Sequence, residues 1–291
     1  MEMECVLSMA KFTNYATLSY NGGSTDSNTV TGELLEVLTV TKAPVLAEYT
    51  AAGRVTYVVS LVNSGPAAMT GLTMTDDLGG YLLGEETLYP LSYAAGSLKQ
   101  YVNGVQQTAP EVTAGPPLSI SGVSVPAGGS TVLIYEAEVT DYAPLGVEAS
   151  VTNTVTVTGD GLANPVTASA TVNMTNGTDL RVSKAVCPAA VTENGELTYT
   201  FVIENHGSLA AAEEDDVVLT DTFRPRLHGL TATLNGTLLQ EGTDYTYQEE
   251  TGVFTTLAGK LTVPAAAYAQ TAEGTWTVTP GTATLVIRGT V

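Results

Sequence analysis

Positive charge is scarce in this sequence. Its 291 residues include 10 lysines and arginines and 2 histidines, against 30 aspartates and glutamates, so the formal net charge is −20 at pH 7. Binding to nucleic acid requires clustered lysine and arginine that neutralise phosphates, and an anionic membrane would repel such a chain. The composition therefore excludes nucleic acid as a partner and favours a solvated acidic surface that limits random association.

Long apolar runs are also lacking. None reaches the ~18–20 residues that cross a bilayer, so we do not expect membrane insertion. No basic segment followed by an apolar one is present, so the given sequence carries no recognisable signal peptide. We expect export through a signal already removed or by a route without one, such as assembly on a spore released by mother-cell lysis.

Catalytic and metal-binding motifs are missing as well. The sequence contains no G-x-S-x-G, no H-E-x-x-H and no phosphate loop, and His206 and His228 have no nucleophile pattern nearby. We therefore expect neither an enzyme acting on a substrate nor a cofactor. The acidic run 213–216 has no regular ligand spacing, so we predict no metal and a solvated loop in place of a calcium site.

Cysteine is limited to Cys5 and Cys187, and neither is surrounded by metal-ligand spacing. The two could form a disulfide between neighbouring chains in an oxidising compartment. The alternative is a free thiol in the N-terminal arm and a small buried hydrophobe beside a strand.

Threonine, valine, glycine, alanine and tyrosine dominate the composition, which favours strands and turns. Long apolar segments with a 3.6-residue period and helix caps are absent. The sequence therefore predicts an all-β protein, and its length suits two domains.

An internal repeat divides the chain. The stretch TVTKAPVLAEYTAAGRVTYVVSLVNSG aligns without gaps with RVSKAVCPAAVTENGELTYTFVIENHG, which matches Lys42 with Lys184. After a short insertion, LTMTDDL aligns with VVLTDTF and matches Asp76 with Asp221. Self-similarity of this kind indicates tandem domains.

These motifs, together with TNTVTVTG near the end of the first repeat, carry a family resemblance. The chain resembles the bacterial conserved-repeat domains of surface proteins, known as the "DUF-eleven" type, and the related fimbrial domains that form intramolecular isopeptide bonds. The resemblance covers nearly the whole chain and implies two tandem immunoglobulin-like Greek-key β-sandwiches.

The two ends of the chain complement each other. The first repeat closes with a hairpin pattern at residues 151–172, and the second repeat stops before such a pattern. A similar pattern occupies residues 12–32 at the other end, where Asn14 aligns with Asn153. We therefore predict an N-terminal arm at residues 1–9 and a donor hairpin at residues 10–36. A complete sandwich follows at residues 37–172, then a linker at residues 173–178 and a sandwich without its last hairpin at residues 179–291.

A sandwich without an edge strand exposes unpaired backbone groups and a strip of core, which an added strand covers. The predicted donor face of the hairpin consists of alternating residues: Phe12, Asn14, Ala16, Leu18 and Tyr20. If the two domains are arranged end to end, residues 33–36 are too few to span the first domain and let the hairpin reach the second domain of the same chain. We therefore expect a neighbouring copy as partner and a head-to-tail homopolymer. We place it outside the bacterial cell, on a cell or spore surface.

Two alternatives are open. The N-terminal residues could be a disordered remnant, although their alternating pattern argues against this. The chain could also be an adhesive module of a larger surface protein that binds a host or surface ligand.

Strand parity places a lysine, an aspartate and an asparagine on each inward face. Lys42, Asp76 and Asn153 alternate in phase with apolar neighbours, and so do Lys184, Asp221 and Asn14. Burial lowers the pKa of a lysine and raises that of a carboxylic acid. A neutral amine is a nucleophile and a protonated acid polarises a carbonyl, as attack on an asparagine carboxamide requires.

By position, the resemblance implies an isopeptide bond between Lys42 and Asn153 assisted by Asp76. It implies a second, between chains, that joins Lys184 to Asn14 with assistance from Asp221. The alternative is a buried salt bridge with a hydrogen-bonded asparagine and no covalent chemistry.

Overall fold

The computed structural model describes residues 9–291, with side chains at residues 12–32 and 36–291. The chain is all-β, and the one helical segment among these residues is a 3-10 turn at Glu213–Asp215. The sequence-based prediction of the fold class is therefore confirmed. Within residues 9–291 there is no helix with the length and hydrophobicity needed to cross a bilayer.

The N-terminal hairpin is a long antiparallel ribbon of four short strands: β1 (Met9–Asn14), β2 (Thr17–Tyr20), β3 (Gly23–Asp26) and β4 (Val30–Leu35). β1 pairs with β4, and β2 pairs with β3 around the tight turn at Asn21 and Gly22. The described side chains from residue 12 to residue 31 are all exposed. This ribbon therefore shows its apolar residues to solvent.

Contacts between Cα atoms divide the chain into two compact units. Among the described residues, unit 1 comprises 9–143 and 150–173, and unit 2 comprises 144–149 and 174–291. The short segment 144–149 thus groups with unit 2, although the sequence repeat places it inside the first domain.

Beyond the hairpin, unit 1 consists of strands β5 to β18. They span Leu38–Pro44, Glu48–Tyr49, Arg54–Asn63, Met69–Asp76, Tyr81–Leu83, Glu86–Leu88, Leu91–Tyr93, Lys99–Val102, Val105–Gln107, Glu111–Thr113, Leu118–Val125, Ser130–Val139, Ser150–Thr158 and Val166–Met174. One sheet has the order β13-β12-β16-β7-β5, with β11 also paired to β16. The other has the order β14-β15-β8-β17-β18-β6, and β9 and β10 form a separate ribbon.

The core of unit 1 lies between the inward faces of these two sheets. Strands such as β7 and β16 alternate strictly between buried and less buried residues, as expected for half-buried strands. The largest fully buried side chains come from both sheets: Tyr57, Tyr135, Leu61, Leu72, Met74, Leu118, Ile120 and Leu133.

Unit 2 contains strands β19 to β28. They span Leu180–Cys187, Glu196–Asn205, Thr220–Thr222, His228–Leu234, Thr237–Leu238, Tyr245–Gln248, Val253–Thr256, Ala267–Gln270, Trp276–Thr279 and Gly281–Thr290. One sheet has the order β19-β20-β28-β22-β23 and the other has the order β21-β25-β24. β26 and β27 form a separate ribbon. The buried core is rich in aromatic rings, among them Tyr199, Phe201, Phe223, Tyr245 and Phe254.

The two units share a register as well as a sequence repeat. In unit 1, Lys42 on β5 lies opposite Val59 on β7, and in unit 2, Lys184 on β19 lies opposite Phe201 on β20. β8 and β21 occupy matching places beside β15 and β25. Because of this shared framework, residues matched in the repeat can be compared position by position.

Candidate functional site

The first lysine predicted from parity forms a buried ion pair in unit 1. Lys42 Nζ lies 2.9 Å from Asp76 Oδ2, and both side chains are fully buried. β5 supplies the lysine, and the end of β8 supplies the aspartate. The alternation of β5 aims Leu38, Val40 and Lys42 into the core, so the charged group lies among apolar neighbours.

The Asp76 carboxylate collects several donors. Its Oδ1 accepts the backbone N–H of Leu78 at 2.8 Å. Its Oδ2 accepts the hydroxyl of Tyr135 and the Asn153 side-chain amide, the latter at 3.4 Å. Lys42 and Asn153 therefore meet at one carboxylate oxygen of Asp76.

The electrostatics of this pair favour a less strongly protonated amine. Burial lowers the pKa of Lys42, and the attraction of the Asp76 carboxylate offsets this only in part. The amine also lies 4.5 Å from the centroid of the Tyr57 ring. Burial raises the pKa of the Tyr57 and Tyr135 hydroxyls, so both phenols stay protonated and can donate hydrogen bonds.

The Asn153 carboxamide has one poorly satisfied acceptor. Its Oδ1 is buried and accepts no close hydrogen bond among the described residues, although the Tyr57 hydroxyl interacts with the Asn153 side chain. A buried carbonyl oxygen without a close partner is costly. It is also the atom that a protonated carboxyl group would polarise during attack on the carboxamide.

The second lysine forms the same pair in a more open setting. Lys184 Nζ contacts Asp221 Oδ2, and the two side chains are 41% and 20% exposed. Three aromatic rings surround the amine at 4.7, 5.3 and 5.3 Å from their centroids, those of Tyr199, Phe201 and Phe223. Such contacts hold a cation in place by the ring quadrupoles. The pair is thus assembled but reachable by water.

The difference in burial arises at the edge of one sheet. In unit 1, β8 lies between β15 and β17, and β17 pairs onward with β18. In unit 2, β21 pairs with β25, and no strand of the described residues pairs with its other side. The described residues therefore provide no strand of unit 2 in the place that β17 occupies beside β8 in unit 1.

An apolar strip is exposed beside this edge. Val182 on β19 is 63% exposed, whereas its counterpart Val40 on β5 is 7% exposed. Leu180 and Val186 are exposed as well. Leu180 and Val182 of β19 line a groove together with Ile203, Leu261 and the residues 217–220 that lead into β21.

The predicted donor residues lie on the N-terminal hairpin. Asn14 is opposite Val30 at the end of β1, and the Phe12 ring covers Gly32, where a Cβ atom would lie 2.3 Å from the ring. The predicted alternation from Phe12 to Tyr20 is interrupted at residues 15–16. The opposite strand carries one extra residue there, and Ser27 Oγ accepts the Ala16 N–H at 2.9 Å.

The cysteines and the acidic run 213–216 are the remaining candidates from the sequence. Cys187 is an exposed free thiol at the end of β19, and Cys5 lies outside the described residues. The run 213–216 forms the 3-10 turn, and Asp215 accepts the Ala212 N–H at 2.8 Å. No group of three or more metal-ligating side chains is found within residues 9–291.

Sequence reasoning overlooked the aromatic residues around both lysines. Tyr135 lies on β16, where Leu133, Tyr135 and Ala137 are all buried. The strict alternation in STVLIYEAEV could have identified this hydroxyl as core-facing. The counterpart in unit 2 is Ile287, which like Tyr135 lies opposite the repeat tyrosine, so the Asp221 carboxylate has no matching phenol.

Comparison with known proteins gives no family. No known protein family matches the sequence, and no curated protein matches it. Three solved structures illustrate how distant the similarities are. The major pilin subunit BcpA of Bacillus cereus is 12% identical over 93% of this chain and 73% of its own, with a TM-score of 0.34.

The 35 kDa C-terminal fragment of the major pilin GBS80 of Streptococcus agalactiae is 13% identical over 84% of this chain and 86% of its own, with a TM-score of 0.35. A family 123 glycoside hydrolase from Clostridium perfringens is 8% identical over 48% of this chain, with a TM-score of 0.30. The chain spans 27% of that hydrolase. At this level the function has to be inferred from the residues themselves.

The two ion pairs should differ sharply in their effect on stability. Lys42→Met leaves the buried Asp76 carboxylate without its partner and also removes the amine that an isopeptide bond to Asn153 would use. We expect a loss of at least about 3–5 kcal/mol in the unfolding free energy of unit 1. The matched variant Lys184→Met removes a partly exposed pair and should cost at most about 1 kcal/mol. Urea unfolding followed by circular dichroism, with Trp276 fluorescence reporting unit 2, separates the two. Equal losses would contradict the assignment.

Proposed function

We propose that this protein is a structural subunit of an extracellular bacterial filament on a cell or spore surface. The N-terminal hairpin of one copy adds to the free side of β21 in unit 2 of the next copy. One observation carries this proposal. Val40 is buried in unit 1, where β17 and β18 complete the sheet, whereas its counterpart Val182 in unit 2 is exposed. The same chain carries the exposed N-terminal hairpin β1–β4, whose described apolar side chains have no cover.

The proposal gains support from the exposed apolar surface on both partners. Phe12, Leu18 and Tyr20 are each more than half exposed on the hairpin, and Val182 is 63% exposed at the edge. Burial of four apolar donor side chains contributes roughly 5–10 kcal/mol before association costs. Backbone hydrogen bonds along β21 add to this because they satisfy groups that otherwise face solvent.

Isopeptide bonds would lock this assembly. Within unit 1, the Lys42 amine attacks the Asn153 carboxamide carbon, a new C–N bond forms, and the former amide nitrogen leaves as ammonia. Asp76 takes a proton from the amine and returns it to the leaving nitrogen. Between copies, Lys184 and Asn14 react in the same way with Asp221. Both bonds would link a first strand to a last strand, where tension enters and leaves a domain.

A disulfide is a second proposed link between copies. The thiol of Cys187 is exposed, so Cys5 of a neighbouring copy could pair with it. Oxidation of the two thiols would require an oxidant such as a small-molecule disulfide in the extracellular medium.

The test of the function is the state of the purified chain. We expect negative-stain microscopy to show filaments one molecule wide, and sedimentation to show growth with rising protein concentration. A chain that stays monomeric at all concentrations would refute the proposal and favour an adhesive module.

A further inference from the structure

Unit 1 contains, within one chain, a contact of the kind that we propose between copies: a hairpin paired with the edge of a sheet. There the hairpin β17–β18 already lies against β8, the strand that matches β21. The ladder between β17 and β8 has four paired positions: Val155 opposite Asp76, Thr156 opposite Thr75, Val157 opposite Met74 and Thr158 opposite Thr73. This ladder gives a register that can be transferred through the sequence repeat.

We propose that the hairpin of one copy docks on β21 of the next, and on Val218 and Leu219 just before it, in this same register. Matching Asn14 to Asn153 and Asp221 to Asp76 fixes the pairs: Ala16 opposite Asp221, Thr17 opposite Thr220, Leu18 opposite Leu219 and Ser19 opposite Val218. The inference rests on the proposed function, because it specifies how the second copy occupies the edge. It goes further by naming the residues that meet.

The first argument for this register is the position of the asparagine. In unit 1, Asn153 precedes the paired ladder by two residues and reaches the Asp76 carboxylate. In the proposed register residues 15–16 straighten on docking, so that Asn14 precedes Ala16 by two residues on one face and reaches the Asp221 carboxylate beside Lys184. A shift by one residue would turn Asn14 to the opposite face of the strand, and a shift by two would move it about 7 Å along the edge.

The second argument is the size of the side chains at the groove. In unit 1, Gly159 follows the ladder and packs so tightly on Leu72 that a Cβ atom there would lie 2.7 Å from the leucine Cδ2. The hairpin has Tyr20 at the position of Gly159, and unit 2 has the smaller Val217 at the position of Leu72. A large residue on the donor thus meets a small residue and an open groove on the acceptor.

The sizes of these side chains also determine whether the N-terminal hairpin docks on unit 1 or on unit 2. Tyr20 would press on Leu72 if the N-terminal hairpin replaced β17–β18 in unit 1. A Cβ atom at the Gly159 position would lie 2.7 Å from Leu72 Cδ2 and 3.1 Å from its Cα, so the leucine would have to shift. Gly159 would leave the groove of unit 2 empty if β17–β18 docked there. The register therefore directs the N-terminal hairpin to unit 2 of a second copy.

Engineered cysteines test the register directly. Thr17→Cys is combined with Thr220→Cys in a chain that also carries Cys5→Ser, Cys187→Ser and Lys184→Arg. Directly opposed residues have Cβ atoms about 4.5–5.5 Å apart, close to disulfide geometry, whereas diagonal neighbours lie about 7–8 Å apart. Two matched controls move the second cysteine by two positions on the same face: Thr17→Cys with Val218→Cys, and Thr17→Cys with Thr222→Cys.

We expect oxidised glutathione to give a disulfide-linked ladder on a non-reducing denaturing gel with Thr220→Cys and only monomers with the two controls. A ladder with either control in its place, or filaments without any ladder, overturns the register and leaves the filament standing. A disulfide closed within one chain overturns the second copy as the occupant. If the wild-type chain forms no filaments, the proposed function fails together with the register.

The arginine variant keeps the positive charge beside Asp221, so we expect it to assemble. If it does not assemble although the wild type does, the same cysteine pairs are made with Lys184 retained. Mass spectrometry of the disulfide-linked peptides then identifies which residues are joined.

Discussion

Removal of residues 1–36 will abolish filament formation and leave a chain that aggregates through the free side of β21. The remaining chain keeps both cores, because the described hairpin side chains from residue 12 to residue 31 are exposed and contribute nothing to them. The free edge keeps its unpaired backbone groups and the exposed Leu180, Val182 and Val186. An open edge with an apolar strip promotes irregular association. Light scattering and microscopy of the truncated chain measure both effects.

A synthetic hairpin of residues 9–36 should reverse that aggregation. At a peptide concentration of 100 times its dissociation constant, unit 2 should gain about 2.7 kcal/mol of stability. Unit 1 should gain nothing, because its edge is closed by β17 and β18. Trp276 lies in unit 2 and is the single tryptophan of the chain, so its fluorescence follows the expected rise in melting temperature.

The control for this experiment is a peptide with Leu18→Asp and Tyr20→Asp. It keeps the length and turn of the hairpin but loses the two side chains assigned to the groove. It should neither suppress aggregation nor raise the melting temperature. Filaments formed by the truncated chain alone would show that the hairpin is dispensable, and the proposed assembly would then be wrong.

Much of this structure could be predicted from sequence because two periodic signals coincide. The two-residue alternation of β5, β7 and β16 identifies strands and their inward faces, and the 142-residue offset from Lys42 to Lys184 identifies the repeat. Since parity fixes the side of a strand on which each residue lies, the sequence alone assigns Lys42, Asp76 and Asn153 to inward faces, and all three are buried.

Other features depend on tertiary contacts that a linear pattern does not contain. Parity placed Lys184 inward, but its 41% exposure depends on whether a neighbouring hairpin covers it. The hydroxyl of Tyr135 reaches Asp76 across 59 residues. Of the three rings around Lys184, two come from β20 and the third, that of Phe223, follows β21 directly. The break of the donor strand at residues 15–16 depends on one extra residue in the opposite strand.

The proposed isopeptide bond between copies should make the filament resistant to boiling in denaturant. Filaments boiled in denaturant with reductant should run as a ladder of covalent oligomers. Lys184→Arg should convert this ladder to monomers, because a guanidinium does not attack the carboxamide while its charge still pairs with Asp221. Asn14→Ala should do the same by removing the electrophile. Lys42→Arg is the matched control, since it blocks only the bond within unit 1 and should leave the ladder intact.

The two proposed bonds should form at different stages, which intact mass can resolve. Lys42 is buried within one chain and burial lowers its pKa, so unassembled monomers should already lack one ammonia. Lys184 remains reachable by water until a second copy covers it. Each joint should therefore lose its ammonia only after docking, and the mass of a dimer should fall short of two unreacted chains by three ammonia molecules. Monomers and boiled filaments that both show the full calculated mass would refute both bonds. Burial of the amine by the arriving hairpin is then the step that turns a reversible contact into a covalent one.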